Sequence, residues 1–138
     1  KNLDMRVLMY LTFGLEGETE KTMKATFEFA KRLQPEFVTF GIVVPAPGTP
    51  FYESMKRKGY LIEKKLELQD PNCLPTFVYP HLSPERLYNF TRNAYKKYYL
   101  SLSYILRRLK RLRTLTELKI SFTNAISVLK RYQFERVQ

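Results

Sequence analysis

MRVLMYLTFGLEGETEKTMKATFEFAKRLQPEFVTFGIVV, residues Met5–Val44, decides the fold. Its first nine residues, MRVLMYLTF, are almost wholly apolar and lack the alternation of a half-exposed strand. A strand covered on both faces, as in a parallel sheet, reads this way. GLEGET follows, with Gly14 and Gly17 supplying backbone freedom and Thr19 placed to cap a helix. Met23, Phe27, Ala30 and Leu33 then recur at helical spacing on one face. Glu20 in the first turn and Lys31 and Arg32 in the last suit the helix dipole, and Pro35 stops the helix. FVTFGIVV (Phe37–Val44) is a second β-branched strand, apolar on both sides. Strand, helix and strand in this order make a βαβ unit with a right-handed crossover.

Downstream, PAPGTPFYESMKRKGYL carries a tight turn at Pro47–Gly48. A short helix is predicted from the N-cap Thr49, with Pro50 at its first position and Gly59 past its end. The next stretch, LIEKKLELQDPNCLPTFVYPHLSP, holds Pro71, Pro75, Pro80 and Pro84, which argue against a continuous helix or a central strand. Ser83-Pro84-Glu85 announces a further helix. Leu87, Phe90, Ala94, Tyr98, Leu102, Ile105, Leu109 and Leu112 step by three or four residues, with Arg92, Lys96, Arg107, Lys110 and Arg113 off that stripe. Ser101 and Ser103 favour a break there. Thr114 and Glu117 fit a capping box for a last helix, with Leu115, Leu118, Phe122, Ala125 or Ile126, and Leu129 on one face, ending near Tyr132. The chain thus divides into an α/β portion (1–62), a proline-rich connector (63–82) and a basic helical tail of two to three helices (83–138).

The chain has 138 residues, with 24 Lys and Arg against 13 Asp and Glu and a net charge of +11. Residues 1–60 hold nine basic and seven acidic residues; residues 61–138 hold 15 and six. Between Arg86 and Arg113 there are nine basic residues and no acid. One cysteine, Cys73, excludes a disulfide framework and a zinc site made of thiolates. No apolar run approaches the roughly 20 residues of a membrane span, and KNLDMRVLMYL does not read as a signal peptide. A reducing compartment such as the cytoplasm is expected. Two parallel strands leave outer edges and faces to be covered. The chain is therefore expected to be a piece of something longer, or to self-associate.

Few residues carry chemistry by themselves. His81 has no second histidine or acid at ligand spacing, so a structural role beside Pro80 is favoured. Cys73 has nothing nearby to lower its pKa and reads as an ordinary thiol. Tyr95, Tyr98 and Tyr99 around Lys96 and Lys97 resemble a base-stacking platform, but their spacing favours packing. RRLKRLR (Arg107–Arg113) offers phosphate or membrane contacts; its leucines favour a packed helix with a solvated or interdomain face. The glycine-rich loop at residues 14–19 joins a strand's C-terminal end to a helix N-terminus, where open α/β sheets and barrels place ligands. It contains neither GxGxxG nor GxxxxGK[ST], which removes dinucleotide and P-loop nucleotide sites.

Taken together, LTFGLEGET, TMKATFEFAKRLQP and FVTFGIVVPAPGTPFYE resemble the last third of a radical S-adenosylmethionine barrel. Members show GLPGET after the fifth strand and P-x-PGT-x-x-Y/F after the sixth. HLSPERLYNFTRNAYKKYYLSLSYILRRLKRL is similar to the C-terminal tail of the cobalamin-binding branch, which includes the anaerobic magnesium-protoporphyrin IX monomethyl ester oxidative cyclases. The resemblance implies a partial (β/α) barrel, strand-helix-strand-helix, followed by an all-α tail. It implies an adenine contact at Thr12, two residues before the loop Gly14, and another late on the next strand at Val44, with Val43 beside it. Glu16 stands where the family has proline, and Tyr10 where it has glycine.

In the family a C-x-x-x-C-x-x-C loop binds an iron–sulfur cluster, which cleaves S-adenosylmethionine to a hydrogen-abstracting radical. A single cysteine cannot bind that cluster. The expectation is a C-terminal fragment that supplies barrel wall and helical tail, binds no cofactor alone and performs no catalysis alone. Its partners are the missing N-terminal barrel and cobalamin-binding domain, together with further copies of itself. Two alternatives are a basic helical module that binds nucleic acid or anionic membrane, and a non-catalytic scaffold. The position of the positive charge, off an unbroken apolar stripe, favours neither polyanion as the partner.

Overall fold

The computed structural model describes residues 7–62 and 74–111. Among these residues the architecture is α/β, with a two-stranded parallel sheet and four helices. The elements are β1 (Leu8–Phe13), α1 (Glu20–Leu33), β2 (Phe37–Ile42), α2 (Pro50–Arg57), α3 (Pro84–Tyr99) and α4 (Leu102–Arg111). The chain divides into two compact units, Lys1–Ala94 and Tyr95–Gln138. Cys73, most of the connector and the expected last helix after Thr114 lie outside the described residues.

The βαβ unit forms as its sequence predicts. β1 pairs with β2 in parallel from Leu8 opposite Phe37 to Phe13 opposite Ile42. The second strand ends two residues earlier than expected. Val43 still donates its backbone N–H to the Phe13 carbonyl at 2.8 Å. Pro45 then removes the next donor and restricts Val44 ahead of it, which ends the ladder.

Thr19 caps α1 in a reciprocal capping box with Thr22: the Thr22 N–H donates to Thr19 Oγ1 at 3.2 Å and the Thr19 N–H to Thr22 Oγ1 at 2.9 Å. Gln34 closes the helix in the left-handed conformation, φ 52°. Met23, Phe27 and Ala30 are buried, whereas Leu33, the last helical residue, is 54% exposed. α2 begins as expected, at N-cap Thr49 followed by Pro50.

The sheet departs from the expectation that both faces are covered. Phe13, Val38, Phe40 and Ile42 are buried on one face. Phe13 stacks on Phe40 at 5.8 Å and meets the edge of Phe90 from α3 at 5.3 Å, while Phe27 of α1 lies 5.9 Å from Phe40. Burying each such side chain contributes about 1.5–3 kcal/mol. On the other face Leu8, Tyr10 and Thr12 are exposed, Tyr10 by 72%. Phe37, Thr39 and Gly41, their partners on β2, are half-buried. The apolar composition of both strands thus serves a covered face and an open one.

The helical break falls where Ser101 predicts. Ser101 Oγ donates to the Tyr98 carbonyl at 2.6 Å and accepts from the Tyr104 N–H at 3.3 Å, ending α3 and starting α4. Leu87, Ala94 and Tyr98 of the stripe are buried. Leu102, Ile105 and Leu109 are exposed, Leu102 by 71%, so the stripe's burial does not continue along α4. In the second unit Tyr98, Tyr99 and Tyr104 pack ring against ring at 4.9–5.4 Å. Burial pushes the Tyr98 and Tyr104 hydroxyls above the ordinary tyrosine range, with the Arg107 guanidinium pulling Tyr98 partly back.

Candidate functional site

The C-terminal ends of β1 and β2 bring the loop Gly14–Thr19 beside residues 43–48. Gly14 is buried, with φ +90°. A Cβ there would lie 2.8 Å from Leu87 Cδ2, 3.0 Å from Phe77 Cζ and 3.4 Å from Val43 Cγ1. Both the backbone conformation and the surrounding side chains therefore require glycine. Gly17, at φ +82°, has open space around it and needs glycine only for its backbone.

The loop satisfies its polar groups internally. The Gly14 N–H donates to Glu18 Oε2 at 3.1 Å, and Thr22 Oγ1 donates to the other Glu18 oxygen. The Glu18 N–H returns to the Leu15 carbonyl at 3.0 Å. Glu16 turns toward α2, where it accepts from Ser54 Oγ at 2.9 Å and pairs with Lys58. The Glu16 carboxylate thus ties the loop to α2.

The described end of the connector lies across this loop. Leu61 and Phe77 form an antiparallel bridge, with the Ile62 N–H donating to Thr76 at 2.7 Å and the Val78 N–H to Tyr60 at 2.8 Å. Phe77 and Tyr79 are buried, while Val78 between them faces outward. The Tyr79 hydroxyl donates to the Gly14 carbonyl at 2.9 Å. Burial, reinforced by the Glu18 carboxylate, pushes Tyr79 up from 10.0 to about 12, so this hydroxyl stays a donor across the physiological range. His81 stacks on Tyr79 at 5.5 Å, and its Nε2 lies 2.7 Å from the Glu18 carbonyl, so Nε2 carries the proton there. The structural role expected for His81 is thus a backbone contact at the loop.

The four residues singled out in sequence divide into two pairs. Gly14 and Val43 meet beneath Phe77 and Leu87. Thr12 is exposed on the open face, opposite Gly41, and Val44 is 40% exposed beyond the end of β2. Tyr79, Glu18 and His81 complete the surroundings. Their sequence signal is weak: Phe77 and Tyr79 alternate with Val78 as a strand would, but two prolines flank them. Among the described residues no group of three or more His, Cys, Asp or Glu could hold a metal ion, and no helix is long and apolar enough to cross a membrane.

Comparison with known proteins finds two curated methyltransferases. The chain is 40% identical over 47 residues to the bacteriochlorophyllide d C-12(1)-methyltransferase of Chlorobaculum tepidum, covering 34% of this chain and 10% of that enzyme. It is 28% identical over 103 residues to an uncharacterized methyltransferase of Pyrococcus horikoshii, covering 72% of this chain and 22% of the relative. The chain spans at most about a fifth of the curated relatives it matches. No protein-family model and no solved structure matches it.

Proposed function

We propose that the chain is the C-terminal part of a radical S-adenosylmethionine enzyme that transfers a methyl group, with a tetrapyrrole as substrate class. The observation that carries this is the likeness to two methyltransferases, one named for a bacteriochlorophyllide. The order of the GLEGET and PAPGT loops at the ends of two parallel strands supports it. In this reading the open face of β1 and β2 is barrel wall, and the unpaired strand edges adjoin the remaining barrel strands. The related oxidative cyclisation of a magnesium porphyrin ester, using cobalamin, is the finer alternative that the helical tail suggests.

The residues present fit the adenosyl end of S-adenosylmethionine and do not fit the cluster. Thr12 presents an exposed hydroxyl and Val44 an exposed apolar group near the ends of adjacent strands. Gly14 acts through the shape of the loop rather than by contact with the cofactor, because its N–H and carbonyl are already engaged by Glu18 and Tyr79 and its open side is filled by Leu87 and Phe77. Val43 supports Gly14 from the side. When bound, S-adenosylmethionine supplies the methyl group or the hydrogen-abstracting radical, and the protein supplies position and exclusion of water. With one cysteine in the whole sequence, cluster ligands must come from other segments.

The coding sequence ahead of Lys1 tests this directly. A C-x-x-x-C-x-x-C motif is expected there, and a frame without one would overturn the enzyme class and leave a non-catalytic scaffold.

A further inference from the structure

We infer that the strap Phe77–Leu82 positions the β1–α1 loop, with Tyr79 as a positioning residue that acts on the site through the Gly14 carbonyl. This rests on the proposed S-adenosylmethionine site only for the identity of the ligand that the loop serves.

The loop alone fixes one side of Gly14, through the bond from its N–H to Glu18. Its carbonyl has no partner within the loop and takes the Tyr79 hydroxyl, 65 residues away in sequence. That contact is buried, so without it the carbonyl would be left desolvated. The strap reaches the loop a second time, through His81 at the Glu18 carbonyl. Two carbonyls, at either end of the turn Gly14–Glu18, are therefore held from outside the βαβ unit.

The strap is itself anchored independently of the loop. Val78 of the strap and Thr76 just ahead of it pair with residues 60–62 through two backbone bonds. Phe77 meets Phe51 of α2 edge-on at 6.2 Å, and Tyr60 meets Tyr79 at 5.7 Å. Tyr79 is thus a pre-set donor, and the missing Cβ of Gly14 lets Phe77 and Leu87 close over the turn. Thr12 lies two residues before this clamped glycine, so the strap fixes where β1 stops and the loop leaves the sheet. A positioning group of this kind supports a site built on a loop, where sub-ångström placement matters.

Tyr79→Phe keeps the ring and removes the bond. Hydrogen exchange in the 138-residue chain should then accelerate about 5- to 150-fold at the amides of residues 14–19, the range that one buried, unsatisfied carbonyl supports. The amides of α1 and β2 should be unchanged. His81→Ala, at an exposed position, should accelerate the same segment by a smaller factor and serves if the tyrosine variant does not fold. Unchanged loop exchange, or a uniform increase across the first unit, would overturn the inference. In the longer enzyme that the proposed function implies, Tyr79→Phe should raise the KM for S-adenosylmethionine several-fold with kcat nearly constant. Faster loop exchange with an unaltered KM would also overturn it. A wild-type polypeptide that does not use S-adenosylmethionine would refute the proposed function, and the exchange comparison would still decide whether the strap positions the loop.

Discussion

Replacing Gly14 by alanine is the sharpest perturbation of the clamped loop, and Gly17→Ala is its internal control. Both positions have positive φ, +90° and +82°. A side chain in that region costs about 1–2 kcal/mol in either place. The surroundings differ. At Gly17 an added Cβ meets nothing within 4 Å; at Gly14 it falls 2.8 Å from Leu87 Cδ2 and 3.0 Å from Phe77 Cζ. Leu87 and Phe77 are each only 1% exposed, so neither has free room into which to move. Forcing a methyl into such a site costs a further ~1–3 kcal/mol. Gly14→Ala should therefore destabilise by about 2–5 kcal/mol and Gly17→Ala by about 1–2. Denaturant unfolding followed by circular dichroism measures both at equal denaturant slopes. Adding Leu87→Ala to Gly14→Ala should recover part of the overlap, making the pair non-additive. Equal losses at the two glycines, or strict additivity with Leu87→Ala, would refute the placement of the strap and α3 over the loop.

Tyr79 makes stability depend on alkaline pH. Its folded value, about 12, lies above the ordinary 10.0. Below pH 10 both states keep the proton; between 10 and about 12 the unfolded chain releases it first, so stability falls by up to about 2 kcal/mol and then levels off. Tyr79→Phe should lack this component in unfolding curves at pH 9 and 11, and an identical pH dependence would contradict the buried hydroxyl. Thr19→Ala removes the side-chain half of the α1 cap and should cost about 1 kcal/mol in chemical denaturation, with Thr19→Ser nearly neutral. Expressed alone, the chain should form a dimer or larger species through its open sheet face and strand edges; a monodisperse monomer in light scattering would count against that expectation.

Much of this was legible in local residue patterns. Thr19, Thr49 with Pro50, and Ser101 mark helix starts because capping is decided by neighbouring backbone groups, and the structure forms all three. The parallel pairing of β1 and β2 follows from two apolar runs joined by one amphipathic helix. The coverage of their faces did not follow, since an apolar run is compatible with burial on either side. The clamp was equally hidden. The bond from Tyr79 to Gly14 spans a proline-rich connector, and no periodicity links two residues held together by a single hydroxyl. Gly14 itself stood out as a turn glycine, but its lack of space is set by Leu87 and Phe77, both remote in sequence.

The most direct test of the functional account is anaerobic reconstitution, with iron and sulfide, of the longer polypeptide that the proposed function implies, followed by reaction with methyl-labelled S-adenosylmethionine and a reductant. The account predicts a bound cluster and consumption of S-adenosylmethionine by that polypeptide, with label transferred to a tetrapyrrole acceptor, and no cluster on the 138-residue chain treated in parallel. A stable cluster on the chain alone, or a reconstituted polypeptide that leaves S-adenosylmethionine intact, would contradict it.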